Sequence, residues 1–279
     1  MLAAMKKTTA KTLTYAVLIG YSICVLYPIL WVVLGSMKSN AELFENTWGL
    51  PTAINFEIYK KVLVDYGLSV NFLNSIFLSV VCAALSIIVS VMASYAISRM
   101  KWKLSKLTLG FILLGLMIPV HSTLIPLYIN LQGLTAIVGA KTTLIIPYVA
   151  FALPTSIFII SSFMQSLPSE LEEAAVLDGC SLFGAFVRII IPLTTPAIAT
   201  VFIFSFLGVW NELLFGMIFL TKTTDLTIPV AILKFNGTFQ TQWDVIFTVI
   251  TLTIVPSTVV YMFFQKRIMG GLTAGAVKG

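Results

Sequence analysis

Charge is scarce in this sequence. Asp, Glu, Lys and Arg together make up 10% of its 279 residues, and 58% are hydrophobic. An average soluble domain carries about 25% charged residues. So little polar surface excludes a single soluble globule and points to an all-α, polytopic membrane protein. Histidine is rarer still, with His121 alone. The cysteines, Cys24, Cys82 and Cys180, lie far apart and form no CxxC pair, which argues against a zinc or redox site. Two of them sit in apolar runs, as small buried hydrophobes do. GxSxG, HExxH and Walker A patterns are all missing. The expectation is no catalytic residue, no metal ligand and no bound cofactor, so any driving energy comes from a partner or a gradient. Internal repeats and low-complexity linkers are also missing, and residues 1–279 read as one transmembrane domain.

What the chain does have is long apolar runs. A helix needs about 20 apolar residues to cross a bilayer. Six runs qualify, near 13–36, 71–98, 107–129, 142–164, 195–220 and 245–265. The opening "MLAAMKKTTAKTLTYAVLIG" has the look of a signal peptide, but the apolar run after Lys11 continues to Met37, too long for a cleaved segment. Prolines fall within several runs, at Pro28, Pro119, Pro126, Pro147, Pro154 and Pro256. Each removes a backbone donor and tends to kink or break its helix.

The net charge is +6. The basic residues lie between the apolar runs, so the excess reads as membrane topology and not as nucleic-acid binding. The side holding both termini carries Lys6, Lys7, Lys11, Arg99, Lys101, Lys103, Lys106, Arg188, Lys266, Arg267 and Lys278. The other side carries Lys38, Lys60, Lys61, Lys141, Lys222 and Lys234. The positive-inside rule puts both termini in the cytoplasm and the loop at 37–70 outside. In that loop "AELF" and "FEIYKKVLVDY" read as short amphipathic pieces at the membrane surface.

One segment breaks the apolar character. "LPSELEEAAVLDGCSLFGAFVRIIIPL", residues 167–193, crowds Glu170, Glu172, Glu173 and Asp178 into nine residues between the fourth and fifth spans. Its local signals describe two short helices around a turn. Ser169 and Glu172 have the spacing of a capping box. Acids in the first turn suit the positive end of the helix dipole. Gly179 suits a left-handed helix stop. Ser181 can cap a second helix that carries Phe183, Phe186 and Ile190 on one side and ends before Pro192. A connector lying on the bilayer accounts for the aromatics. It accounts poorly for an exposed Ala174–Ala175 pair, which lets another backbone approach closely.

The spacing of this segment resembles the EAA motif of binding-protein-dependent ABC importer permeases. Glu173, Ala174 and Ala175 are followed by Gly179, Ile189 and Pro192 at the family's intervals, with Ile191 where leucine is usual. "IPVHSTLIPLY" (118–128), "PAIATVFIFSFLGVWNELLF" (196–215) and "GLTAGAVKG" (271–279) resemble the carbohydrate subgroup, the maltose-type permeases. The resemblance runs over nearly the whole chain; one departure is His121, where the family pattern has glutamine. It implies a six-span permease of type I fold with a coupling loop at about 165–192. In such a loop Glu172, Glu173, Ala174, Ala175, Asp178, Gly179, Arg188 and Pro192 would engage a cytoplasmic ATPase. The implied assembly is a second homologous permease, two copies of the ATPase that bind ATP and magnesium, an external sugar-binding protein and surrounding lipid, with no nucleic acid.

Other residues admit two readings each. Glu212 is the one charged residue well inside a span; it can line a translocation route or meet the partner permease, or it can lie near water at the helix end. Trp210 and Asn211 can stack on and hydrogen-bond a sugar, or Trp210 can belong to an interfacial aromatic belt. His121 lies in a proline-bounded break; a proton relay would need acids nearby in the sequence and has none, so a packing role is favoured over a place on the translocation route or at the partner permease. Phe202, Phe204 and Phe206 are two apart, so the three do not form one helix face.

Three rival classes remain at this level. An ion-driven secondary transporter predicts paired intramembrane charges. A permease for a non-sugar solute is compatible with the EAA motif but not favoured by "WNELL" or the last nine residues. A membrane enzyme requires a catalytic cluster that the sequence lacks.

Overall fold

The structure, a computed structural model, describes residues 2–100, 102–235 and 241–276, with the backbone alone for residues 2–10, 234 and 266–276. Among these residues the chain is helical, with no strand. The helices are α1 (Leu2–Gly35), α2 (Asn40–Glu45), α3 (Glu57–Lys60), α4 (Leu68–Ser98), α5 (Ser105–Leu114), α6 (Leu124–Val138), α7 (Ala140–Thr143) and α8 (Ile145–Ser166). They continue with α9 (Glu170–Leu177), α10 (Leu182–Ala185), α11 (Ile191–Leu193), α12 (Thr195–Trp210), α13 (Leu214–Phe219), α14 (Ile228–Ile232) and α15 (Trp243–Ala276). Four stretches are long and apolar enough to cross a membrane unbroken: Lys11–Gly35, Leu68–Ser98, Ala140–Ser166 and Trp243–Gln265. Two bent pairs bring the total to as many as six. The basic residues Lys101 and Lys278 lie outside the described residues, as do the last three residues of the 271–279 stretch.

Met1–Leu68 with Ile232–Val255 form one compact unit, and Ser69–Ala231 with Pro256–Gly279 a second. In the first unit α1 exposes its apolar side chains from Leu13 to Leu30. The segment after it folds as short amphipathic pieces. Ser39 caps α2 by accepting from the Glu42 N–H. Leu43, Ile58 and Val62 point inward while Phe44 and Val64 stay exposed. Trp31 stacks on Trp48, packs edge-on against Phe247 and donates from Nε1 to the Thr47 carbonyl at 2.9 Å.

The second unit is built around α4. Ser75, Ser79, Ala83, Ser86, Ser90 and Ser94 recur every three or four residues along it and are buried. Such a face of small residues lets neighbouring helices approach closely in a membrane; the Ser94 hydroxyl donates to the Ile157 carbonyl of α8. At one end of α4, Asn71 and Asn74 donate to the carbonyls of Thr223, Thr224 and Leu226, and Ser75 accepts from the Ile228 N–H. These bonds hold the 221–228 turn.

The prolines do not all act alike. Pro28, Pro154 and Pro256 lie inside continuous helices, and Pro126 and Pro147 occupy the first turns of α6 and α8, where no helix donor is lost. Pro119 does break its span. Ile118 before it is extended, as a residue preceding proline prefers, and the Ser105–Met117 and Val120–Val138 segments meet at 83°. The fifth span is also broken. Helix α12 stops at Trp210, residues 211–213 are irregular, and α13 follows, so the uninterrupted span expected over 195–220 is not present.

Candidate functional site

Both breaks open onto one cavity of about 390 Å3 in the second unit. Val120 and His121 come from the break after Pro119; Tyr148, Phe151, Thr155 and Ser156 from α8; Phe204 and Ser205 from α12; Glu212 from the break in the fifth span; and Phe215 from α13. Irregular backbone at membrane depth is tolerated where it lines a cavity or is buried in protein. Gly115 helps to shape the site: a Cβ there would lie 3.0 Å from the Pro154 ring, so glycine permits the broken span to pack closely on α8.

Glu212 is the only acidic residue among those lining the cavity. Its Oε1 accepts from the Phe215 N–H at 2.9 Å, and its Oε2 accepts from the Gly216 N–H at 3.1 Å and the Tyr148 hydroxyl at 2.6 Å. The carboxylate thus satisfies the first free donors of α13 and ties the break to α8. Glu212 thus lies just past the end of α12, at the break in the span.

The neighbours of Glu212 do not share its setting. Trp210 is 1% exposed, stacked on Phe206 and edge-on to Phe72, and its Nε1 has no partner among the described residues. The last turn of α12 directs this ring into the helix packing. Asn211 is exposed, and its amide donates to the Leu207 carbonyl at 2.9 Å. Neither residue lines the cavity, whereas His121 does. Sequence distance hid the tie between Tyr148 and Glu212, which are 64 residues apart.

The second candidate is the polar segment. Helix α9 covers Glu170–Leu177 and ends in a Schellman turn: Gly179, at φ 84°, donates to the Val176 carbonyl and Cys180 to that of Ala175. Ser181 then accepts from the Gly184 N–H at 3.1 Å and caps α10. Glu173, Ala174 and Asp178 face outward together with Leu177, which is 88% exposed. Arg188 and Pro192 are exposed as well.

Three local expectations are corrected here. Ser169 has helical backbone angles and caps nothing through its side chain, so the capping box does not form; the Glu172 carboxylate is drawn to Arg99 instead. Only Ala174 of the alanine pair is exposed, because Ala175 lies on the inner face of α9. The second helix does not end before Pro192. It passes through a π-turn at Phe186–Ile190 into α11, and the extra residue turns Phe186 and Ile190 inward while Phe183 stays exposed.

This path then bends by 70° where Leu182–Leu193 meets Thr195–Trp210. Pro196 cannot donate to the Pro192 carbonyl, and the Thr195 hydroxyl takes that role at 2.7 Å; the Thr194 hydroxyl bonds the Ile190 carbonyl at 2.7 Å.

Among the described residues no group of His, Cys, Asp and Glu is placed to hold a metal ion. The arrangement is a set of bent spans, a cavity at their breaks and a structured polar loop.

Comparison with known proteins agrees with this description. The family model "Binding-protein-dependent transport system inner membrane component" matches residues 86–272. The chain is 34% identical over 269 residues to a probable ABC transporter permease protein of Bacillus subtilis, covering 96% of this chain and 89% of the relative. It is 33% identical over 278 residues to a diacetylchitobiose uptake system permease protein of Streptomyces coelicolor, covering 99% and 92%. A chain from the crystal structure of a bacterial ABC transporter involved in the import of the acidic polysaccharide alginate superposes with a TM-score of 0.77 at 25% identity, covering 91% of this chain and 95% of that one. The helical fold with its broken spans is thus that of an ABC importer permease, and the chain belongs to the family of binding-protein-dependent transport system inner membrane components.

Proposed function

We propose that this chain is one of two homologous permease subunits of an ATP-driven sugar importer in the bacterial plasma membrane, and that it forms half of the translocation path. The chain itself catalyses no reaction and binds no cofactor. ATP and magnesium belong to two copies of a cytoplasmic ATPase, and an external binding protein delivers the sugar. Both termini and the 165–192 loop face the cytoplasm. Sugar as the substrate class is supported by the relatives, which include permease proteins named for diacetylchitobiose and trehalose. The exposed apolar side chains of α1 would be covered by lipid and the second permease.

The observation that carries the coupling role is the fold of the polar segment. Glu173, Ala174, Leu177 and Asp178 stand outward on a helix fixed at its end by Gly179. An outward apolar side chain among acids suits a protein groove better than water. At the other site, His121 and Glu212 line the cavity that the path would use, while Trp210 acts from behind its wall.

The test is Glu173→Lys. Charge reversal sets like charges against a basic groove, so the variant inserts and pairs with its partner permease but abolishes sugar uptake and loses the ATPase. Normal uptake by well-expressed variant protein overturns the coupling role. Uptake of a panel of labelled sugars in a strain lacking the gene identifies the substrate.

A further inference from the structure

Arg99 closes the end of α4, and its environment is unusual for a residue just beyond a span. Its side chain is 8% exposed. Nε donates to Glu172 Oε2 at 2.6 Å, and Nη2 completes a fork on the same carboxylate oxygen. Nη1 donates to the carbonyls of Leu167 at 2.8 Å and Met164 at 3.3 Å, and Nη2 also donates to Pro168 at 3.1 Å. Met164 lies in the last turn of α8, and Leu167 and Pro168 follow that helix directly. The last carbonyls of a helix lack intrahelical partners, and a cation there also suits the helix dipole. One side chain from α4 therefore satisfies the end of α8 and pairs with the first turn of α9.

A second contact runs parallel to it. Tyr95, one turn earlier on α4, packs its ring on Phe186 in the second loop helix, with centroids 4.5 Å apart. Phe186 and Ile190 share a buried cluster with Val91, Ile160 and Met164 of α4 and α8. Both helices of the polar loop thus rest on the same end of α4, one through a charge and one through a ring.

We propose that Arg99 is a positioning residue for coupling: it locks α9 to the ends of α4 and α8, so that movement of the loop is passed to the second and fourth spans as one body. This rests on the reading of the loop as the ATPase-docking segment. Without Arg99 the loop would reach those spans through the backbone at 167–169, a hydrogen bond between the Tyr95 hydroxyl and Glu172, and apolar packing. Apolar packing is non-directional and permits sliding, whereas a nearly buried ion pair resists separation because each charge would be left unpartnered. Lysine cannot reproduce the arrangement, since a point charge with three donors does not span a carboxylate and three carbonyls in the plane of a guanidinium. Arg99 counted in the sequence only as one of the basic residues of the inner side. In the fold its charge is consumed within the chain.

The experiment uses the complete transporter in proteoliposomes, with sugar taken up per ATP hydrolysed as the readout and ATPase retained on purification as the control. Arg99→Gln and Glu172→Gln should each hold ATPase retention within about twofold of wild type while uptake per ATP falls about tenfold, within the usual range of coupling between sites. The double variant should be no worse than either single one, because the two residues act as one unit. Arg99→Lys should keep insertion and recover coupling only in part. Unchanged uptake per ATP in either glutamine variant overturns the proposal. So does loss of assembly in both, which would make the pair scaffolding alone. Glu173→Lys in the same assay separates the two ideas: if it retains the ATPase at wild-type yield, the docking reading has failed and not the clamp.

Discussion

Tyr148 donates its phenolic hydrogen to Glu212 across 64 residues of chain, at 2.6 Å, and so ties α8 to the break in the fifth span. Tyr148 is buried and Glu212 has no cationic partner among the bonds it makes. Its charge is balanced by one hydroxyl and two backbone donors. Tyr148→Phe should lower stability by about 1.5–3 kcal/mol, the range for a hydrogen bond to a charged group. Glu212→Ala removes the cap of α13 as well and should cost about 2–4 kcal/mol. Thermal unfolding of purified protein in detergent measures both. An unchanged midpoint for Glu212→Ala would mean that the break stands without its carboxylate.

Gly179 offers a second test, because its cost is conformational and not steric. Nothing lies within 4 Å of a Cβ placed there, yet φ is 84°. Gly179→Val should strain the turn by about 1–2 kcal/mol, whereas Gly179→Asn should be milder, since asparagine tolerates the left-handed region. Insertion and permease pairing should survive in both. The valine variant should lose affinity for the ATPase and show uncoupled or absent transport. Wild-type co-purification and normal sugar-stimulated hydrolysis in Gly179→Val would reduce the turn to a linker.

Lys38 is 3% exposed, and its ammonium donates to the carbonyls of Asn46 and Gly49, both at 2.6 Å. It closes the loop around α2. Lys38→Met fills the same space but orphans two carbonyls, and should cost about 1–3 kcal/mol. Limited proteolysis should then cut within residues 44–50 faster than in the wild type. Equal cutting rates would show that apolar packing alone holds the loop.

The direction of the chain is tested by single cysteines in a cysteine-free background. A membrane-impermeant thiol reagent on intact cells should label position 224 and spare position 103, which reacts only once the membrane is opened. The reverse pattern would invert the topology and move the polar loop to the outside.

Much of the architecture was legible because hydropathy over a window depends only on composition. The apolar runs near 71–98 and 142–164 match α4 and the α7–α8 stretch within a few residues. Gly179 and Ser181 were legible for the opposite reason: their turns are local, decided by the conformational freedom of one residue and one hydroxyl. What the sequence hid falls between these scales. The direction in which Trp210 points depends on where α12 ends, and nothing in "WNELL" but the polarity of two residues marks that end. The Ser169–Glu172 capping box failed because Arg99, 73 residues earlier, competes for the carboxylate with a full charge. The buried role of Ala175 likewise depends on a neighbour that spacing cannot name.

The bend at Thr194 also has a mechanical meaning. The rod from Leu182 to Leu193 leaves α12 at 70°, and twelve helical residues make it about 18 Å long. Two threonine hydroxyls bond carbonyls at its fulcrum, that of Thr195 in place of the donor Pro196 lacks. Side-chain bonds of this kind can lengthen and re-form at little cost, so the fulcrum is softer than the arm. A rotation of about 10° at Thr194 would carry the far tip, beside Gly179, through about 3 Å, given a rise of 1.5 Å per residue. The same leverage runs in reverse: an ångström-scale push at the tip arrives at the span as torque, a few degrees of turning, and not as translation.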